Sequence, residues 1–183
     1  MGIIGKDFKY KVVKNFFPEE ERKLLSLYTE IKHRTNFTSF GTEDDINNNL
    51  DTYFYGDPIF EAIMLRKKSL MEKEVGKKLL PTYSFWRMYT KFADLALHKD
   101  RPSCEISVTA NIGSDGTKWP IFIDENPIDI EQGDAVIYLG CELPHYRKEF
   151  NGDWCSQVFL HYVDEEGPNK EYYMDKRNYW GMK

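Results

Sequence analysis

Tyr83-Ser84-Phe85-Trp86-Arg87-Met88-Tyr89-Thr90-Lys91 is the point at which the sequence changes its period. Upstream, apolar residues recur at helical spacing. From Thr82 onward they alternate with polar ones. Alternation marks a strand with two unlike faces, because successive side chains of a strand point to opposite sides. Four more stretches of this kind follow, at residues 105–112, 119–123, 135–139 and 156–163. Turn residues separate them: Gly113-Ser114-Asp115-Gly116, Gln132-Gly133-Asp134 and Asn151-Gly152-Asp153. Short strands joined by polar turns predict a sandwich or jelly roll.

Working back from Tyr83, residues 58–76 read as a helix. Asp57 is its cap, Pro58 its first residue, and Gly76 or the Leu80-Pro81 step its end. Ile59, Phe60, Ile63, Met64, Leu70 and Val75 form its apolar face. Residues 35–57 are polar, with Asn47, Asn48 and Asn49 in a row, and read as a long loop. Its aromatics Tyr53, Phe54 and Tyr55 are expected in core or lid packing. Residues 18–34 read as a second helix. Glu19, Glu20 and Glu21 suit its positive end, and Leu24, Leu25, Leu27, Tyr28 and Ile31 give an apolar stripe. The chain is thus expected to be α+β and a single domain. Residues 1–81 supply helices and a loop, 82–164 the β core, and 165–183 a tail that the sequence leaves unplaced.

Composition narrows the function. The 183 residues include 41% hydrophobic and 15% aromatic residues, enough for a full core. No run is long enough to cross a membrane, and Met1 to Tyr10 has no apolar stretch of a secretory leader. The three cysteines, Cys104, Cys141 and Cys155, are irregularly spaced and form no Cys-x-x-Cys pair. A reducing cytoplasm is the expectation. The net charge of −5 argues against a broad nucleic-acid surface.

Four histidines are present: His33, His98, His145 and His161. His98 and Asp100 lie two apart at a strand end, so both can face one point. Two histidines and one carboxylate on one face, with other positions open, suit a non-heme Fe(II) centre. His145, which follows the turn and apolar strand Gly133-Asp134-Ala135-Val136-Ile137-Tyr138-Leu139, is the candidate third ligand. His161 shares a strand face with Gln157 and Phe159 and is read as packing or contacting substrate. Arg101, next to Asp100, is expected either to pair with Glu105 or to reach substrate.

His98-x-Asp100, the Gly133-Asp134-Ala135 lead-in, His145 and the closing strand Gln157-Val158-Phe159-Leu160-His161-Tyr162 together resemble the Fe(II)/2-oxoglutarate-dependent dioxygenases. The layout is that of the prolyl 4-hydroxylase branch. The resemblance covers residues 82–164. It implies a double-stranded β-helix (jelly-roll) barrel with supporting N-terminal helices, holding iron on His98, Asp100 and His145. It also implies oxidation of 2-oxoglutarate to succinate and carbon dioxide, coupled to hydroxylation of a peptide or a small molecule. Tyr89, by its distance before His98, matches a tyrosine that contacts 2-oxoglutarate, and Asn111 another polar contact.

One departure stands out. The family carries a basic residue early on the closing strand, for the far carboxylate of 2-oxoglutarate. This chain has Asp153-Trp154-Cys155-Ser156-Gln157 there. An anion buried without a cation is costly. Arg147, Tyr89, Asn111, Lys91 and Gln157 are therefore the candidates to hold it. The gap also leaves open a jelly roll that binds without catalysing. A cupin-like metalloenzyme ranks lower, since it would gather more histidines.

Overall fold

The computed structural model describes residues 9–35 and 51–181. Charge and capping account for the two helices. In α1 (Glu19–Thr35), Glu19, Glu20 and Glu21 occupy the first turn and Lys32, His33 and Arg34 the last, complementing the helix dipole. In α2 (Pro58–Val75), the Asp57 side chain accepts the Ile59 N–H at 3.2 Å. Gly76 closes the helix at φ 74°, a left-handed conformation that costs glycine nothing.

Among the described residues, the strands are β1 (Tyr10–Val13), β2 (Thr52–Tyr55), β3 (Leu79–Thr90), β4 (Leu95–His98), β5 (Ile106–Ser114), β6 (Ile121–Ile123), β7 (Asn126–Ile128), β8 (Ala135–Tyr138), β9 (His145–Arg147) and β10 (Trp154–Asp164). They form two antiparallel sheets. One has the order β1-β8-β5-β10-β3-β2 and the other β4-β9-β6-β7. Neighbours in each sheet are mostly distant in sequence, so chain order alone does not reveal the pairing.

The larger sheet has two unlike sides. Trp86 and Met88 of β3, Val108 and Ala110 of β5, and Val158 and Leu160 of β10 pack with Phe60, Met64 and Met71 of α2 and Leu25 of α1. On the opposite side, Val136 and Tyr138 of β8 pack with Ile121, Ile123 and Ile128 of the smaller sheet. The space between the sheets is where the polar residues of β3, β5 and β10 gather. Asp57, 4% exposed, joins the helical layer to the sheet. It accepts from Tyr28 of α1 at 2.8 and 2.9 Å and from Trp86 of β3 at 3.1 Å.

Four expectations need correction. Residues 52–55, read as loop, pair with β3 as an edge strand. The run Thr52-Tyr53-Phe54-Tyr55 has no polar alternation to announce it, and cross-strand stacking holds it: Tyr53 on Phe85, Phe54 on Trp86, Tyr55 on Tyr83. The rest of that loop, including Asn47, Asn48 and Asn49, lies outside the described residues. The α1 stripe does not turn wholly inward. Leu25 is buried, but Leu24, Leu27 and Ile31 are 63%, 54% and 53% exposed. The helix instead seats its small residues, with Thr29 accepting from Ser156 of β10 at 2.9 Å. On α2, Met71 joins the buried face while Ile59 and Leu70 are only partly covered. Finally, Arg101 does not pair with Glu105. It pairs with Asp175 at 2.6 Å, because the tail folds back over β3 through a bent 3-10 segment, Lys170–Lys176.

Candidate metal centre between the sheets

β4 ends on His98 and pairs with β9 across an irregularity in register between Leu95 and His98, so that His98 faces His145. The strand then continues to Asp100, whose N–H is held by Gly140 O at 2.9 Å. Two residues past His98, the carboxylate returns to the same side. As a result, ligand atoms of His98, Asp100 and His145 all lie within 4.8 Å of one another. Asp100 Oδ1 is 3.5 Å from His98 Nε2 and 3.6 Å from His145 Nε2.

Each imidazole is oriented from behind. His98 Nδ1 donates to Ala96 O at 2.8 Å and His145 Nδ1 to Leu143 O at 3.0 Å. With Nδ1 of each ring so engaged, Nε2 is the nitrogen that faces Asp100 and is left for a metal. Tyr138 packs edge-on against His145 at 4.9 Å. The donor set of two imidazole nitrogens and one carboxylate oxygen therefore fits a divalent ion with bonds of about 2.0–2.2 Å.

The electrostatics agree with a cation site. Burial pushes the Asp100 carboxyl up, but hydrogen bonds from His145 and His98 outweigh it and hold the group far below the usual carboxylate range. His98 is raised, chiefly by its contact with Asp100. Without a metal, an imidazole can bond to Asp100 only by carrying a second proton on Nε2. His161 goes the other way. Burial pushes it down to about 4, so it is neutral.

A second group, Asp100, Cys104 and His161, also lies within ligand reach. Cys104, however, is a protonated thiol. Burial pushes it up to about 12, and it shares a hydrogen bond with Tyr83 OH at 3.0 Å. The thiolate that metals prefer is not available there.

The centre opens on a cavity of about 230 Å³, lined by Tyr83, Phe85, Arg87, Tyr89, Phe159 and His161 in addition to the triad. Arg87 is held by Asp51 through Nε at 2.8 Å and lies over Tyr89. Arg101 lies over Tyr83, 4.6 Å from the ring. A second cavity, of about 410 Å³, is lined by Asn111, Trp119, Cys155 and Gln157. Arg147, two residues beyond His145 and 2% exposed, is packed against residues of the second cavity. It donates to Gln157 Oε1 at 2.7 Å and to Trp119 O, and lies over the Trp119 ring. Tyr89, which lines the first cavity, meets the same tryptophan edge-on at 4.8 Å.

All of these partners are neutral. Among the described residues no carboxylate pairs with Arg147, and its Nε has no hydrogen-bond partner at all. Burial lowers the guanidinium's hold on its proton. A buried cation with no counter-ion is a poor structural element. It is a ready receptor for an anion.

Of the expected cosubstrate contacts only Tyr89 lines the first cavity; Gln157 and Asn111 line the second, and Arg147 and Lys91 line neither. Lys91 is exposed and lies over Phe92, because β3 ends at Thr90 and the alternation that would turn residue 91 inward stops there. Asn111 faces the second cavity, its amide occupied by Ile130 O and the Gly113 N–H. The sequence does not mark Ser107, which shares a strand face with Asn111, or Tyr138 as site residues. Period two sets Ser107 on the inner face of β5, but only the fold brings it 3.0 Å from Asp100.

No protein-family model matches this sequence, and no curated protein matches it. Solved structures do match the fold. A prolyl-4-hydroxylase from Pseudomonas putida superposes with a TM-score of 0.65 at 15% identity, over 86% of this chain and 94% of that one. A member of the 2OG-Fe(II) oxygenase family from Burkholderia pseudomallei gives 0.63 at 13% identity, over 90% and 89%. HygX from Streptomyces hygroscopicus, with nickel, 2-oxoglutarate and hygromycin B bound, gives 0.65 at 13% identity, over 86% and 84%. With its strands ordered in this way around the His98, Asp100 and His145 cluster, the chain has the fold of the 2-oxoglutarate- and iron-dependent oxygenases, prolyl hydroxylases among them.

Proposed function

We propose that this chain is an Fe(II)- and 2-oxoglutarate-dependent oxygenase that hydroxylates a substrate and releases succinate and carbon dioxide. The observation that carries the reading is the convergence of His98, Asp100 and His145 on one cavity, with both Nε2 atoms facing the carboxylate. The two sheet orders support a jelly-roll barrel with helices on one side, in which residues 82–164 form the catalytic core of a single domain.

Iron, when bound, supplies the activation of oxygen. The rest falls to the chain's own residues. His98, Asp100 and His145 hold the ion. Arg147 pairs with the far carboxylate of 2-oxoglutarate, and Gln157 and Trp119 fix the direction of that guanidinium. A cation reaching in from β9 thus does the work expected of a basic residue near Cys155 on β10. On this reading the missing basic residue near Cys155 no longer favours a non-catalytic jelly-roll module.

His161 and Arg101 border the side from which substrate approaches. Arg101 is held by Asp175, so a substrate carboxylate or carbonyl reaching it shares or displaces that contact. One solved neighbour is a prolyl-4-hydroxylase and another holds hygromycin B, so the fold leaves the choice between peptide and small molecule open. The net charge of −5 favours either over nucleic acid. Three free cysteines, and no described helix long and apolar enough to cross a membrane, support a cytoplasmic setting.

The deciding experiment is succinate formation from 2-oxoglutarate in the presence of Fe(II) and oxygen, without added substrate. Turnover that vanishes in Asp100→Ala supports the assignment. Absence of turnover from the iron-loaded wild-type protein, with and without candidate peptides and small molecules, would refute it. Arg101→Ala and His161→Ala are expected to keep this uncoupled turnover and to lose substrate hydroxylation.

A further inference from the structure

The two oxygens of Asp100 are treated differently. Oδ1 looks toward both imidazoles, at 3.5 and 3.6 Å. Oδ2 is turned into the protein, where Ser107 Oγ donates to it at 3.0 Å. Gly140 lies beneath it so closely that a Cβ there would come within 2.4 Å of Oδ2 and 2.6 Å of Ser107 Oγ. Glycine at 140 is what allows the carboxylate and the hydroxyl to meet.

We propose that Ser107 is a positioning residue of the metal centre: it holds Asp100 Oδ2 away from the ion so that Asp100 ligates through Oδ1 alone, and the same contacts fix His161 as its Nδ1–H tautomer. The proposal rests on the iron-site reading above and deepens it.

Counting protons leads to the tautomer. Ser107 Oγ carries one proton and has three polar neighbours: Asp100 Oδ2 at 3.0 Å, Cys104 O at 3.1 Å and His161 Nδ1 at 3.0 Å. An ionised carboxylate and a carbonyl can only accept. If His161 Nδ1 were bare as well, one proton would have to serve three buried acceptors. With the proton on Nδ1, His161 donates to Ser107. The hydroxyl proton is then free for Asp100, whose charge makes it the stronger acceptor.

The hydroxyl has little freedom to leave. Ser107 is fully buried on a central strand, in register with His161 of β10 and with Tyr138 of β8. Two consequences follow. A carboxylate held to one oxygen leaves more of the ion's positions open, which oxygenase sites of this type need. And the His161 lone pair sits on Nε2, making this cavity-lining ring an acceptor for a substrate O–H or N–H.

Cobalt(II) titration of the full-length metal-free protein tests this, with visible absorption reporting the coordination. Ser107→Ala and Ser107→Cys, which remove or weaken the donor, should bind Co(II) about 10–100-fold more weakly, with a changed absorption envelope. Ser107→Thr, which keeps the hydroxyl, should restore both. If Ser107→Ala does not fold, Ser107→Cys, close to serine in size, is read in its stead. Wild-type affinity and spectrum in either donor-poor variant would overturn the proposal, as would failure of a folded Ser107→Thr to recover them. A wild-type protein that takes up no Co(II) would instead sink the iron reading itself.

Discussion

Along β10, Val158, Leu160 and Tyr162 turn toward the helices, while Gln157, Phe159 and His161 turn toward the other sheet. The two sets alternate residue by residue and all but Phe159 are buried, yet they are built on different rules. The helix side is largely apolar and close-packed, with a few polar groups that tie the helices to the sheet, as Asp57 and Tyr162 do. The inner side carries Arg87, Ser107, Thr109, Asn111, Gln157 and His161, each hydrogen-bonded: Ser107 to Asp100 and His161, Arg87 to Asp51, Thr109 to Tyr138, Asn111 to Ile130 O and Gln157 to Arg147. Burying such groups is tolerable only when each finds partners. Among the described residues two buried side-chain polar atoms lack a hydrogen-bond partner, Ser84 Oγ and Arg147 Nε, and the second belongs to the residue proposed above as the anion anchor. One face of the sheet packs against the helices and the other lines the proposed metal site, and a strand separates them by a single residue.

The sharpest way to break this contrast is His145→Ala. It should abolish Fe(II) binding and succinate formation, since two remaining ligands hold such an ion poorly. The metal-free protein should still melt cooperatively. Calorimetric titration with Fe(II) under nitrogen reads the loss. Retained binding would mean that His145 is not a ligand.

Arg147→Ala comes next. Removing one partner of a buried charge contact costs about 2–5 kcal/mol, so the KM for 2-oxoglutarate should rise roughly 30-fold or more. Arg147→Lys should recover only part of this, because a point charge cannot reproduce the fork. An unchanged KM in steady-state succinate assays would move the anchor to Arg87 or to neutral hydrogen bonds.

On the opposite face, Leu160→Ala should lower stability by about 2–5 kcal/mol in urea unfolding. Its Co(II) affinity should stay that of the wild type, although its neighbour His161 lines the cavity. A large fall in metal affinity would mean that the two faces are mechanically coupled, and the separation drawn here would be wrong.

The smallest effect is that of pH. His98 is raised above its ordinary value of about 6.5 by Asp100. A metal must displace that proton, so Co(II) affinity should fall about tenfold per unit as pH drops below the raised value. For folding of the metal-free protein the sign is reversed. A raised pKa stabilises the fold fully below about 6.5, and the contribution is lost as pH rises through the folded value. Melting curves of metal-free protein across this range, compared with His98→Gln, should differ in that direction.

Several features were determined by the sequence on its own, because they depend on neighbours along the chain. Capping by Asp57 and Gly76, the charge pattern of α1, and the shared face of His98 and Asp100 follow from local geometry that the fold only inherits. The period-two pattern likewise located β3, β5, β8 and β10 to within a few residues. Tertiary structure decided everything that depends on which strands become neighbours. It selected one side of α1 and left Leu24, Leu27 and Ile31 exposed, since helical spacing marks candidate contacts but not which partner arrives. It stopped β3 at Thr90 and so turned Lys91 outward. It gave Arg101 to Asp175, 74 residues away, where sequence proximity suggested Glu105. It also set Arg147 across from Gln157, supplying from a different strand the positive charge missing beside Cys155. An imidazole or guanidinium can bond only to what the fold brings within about 3 Å, and strands paired out of chain order bring groups together that spacing along the sequence cannot announce.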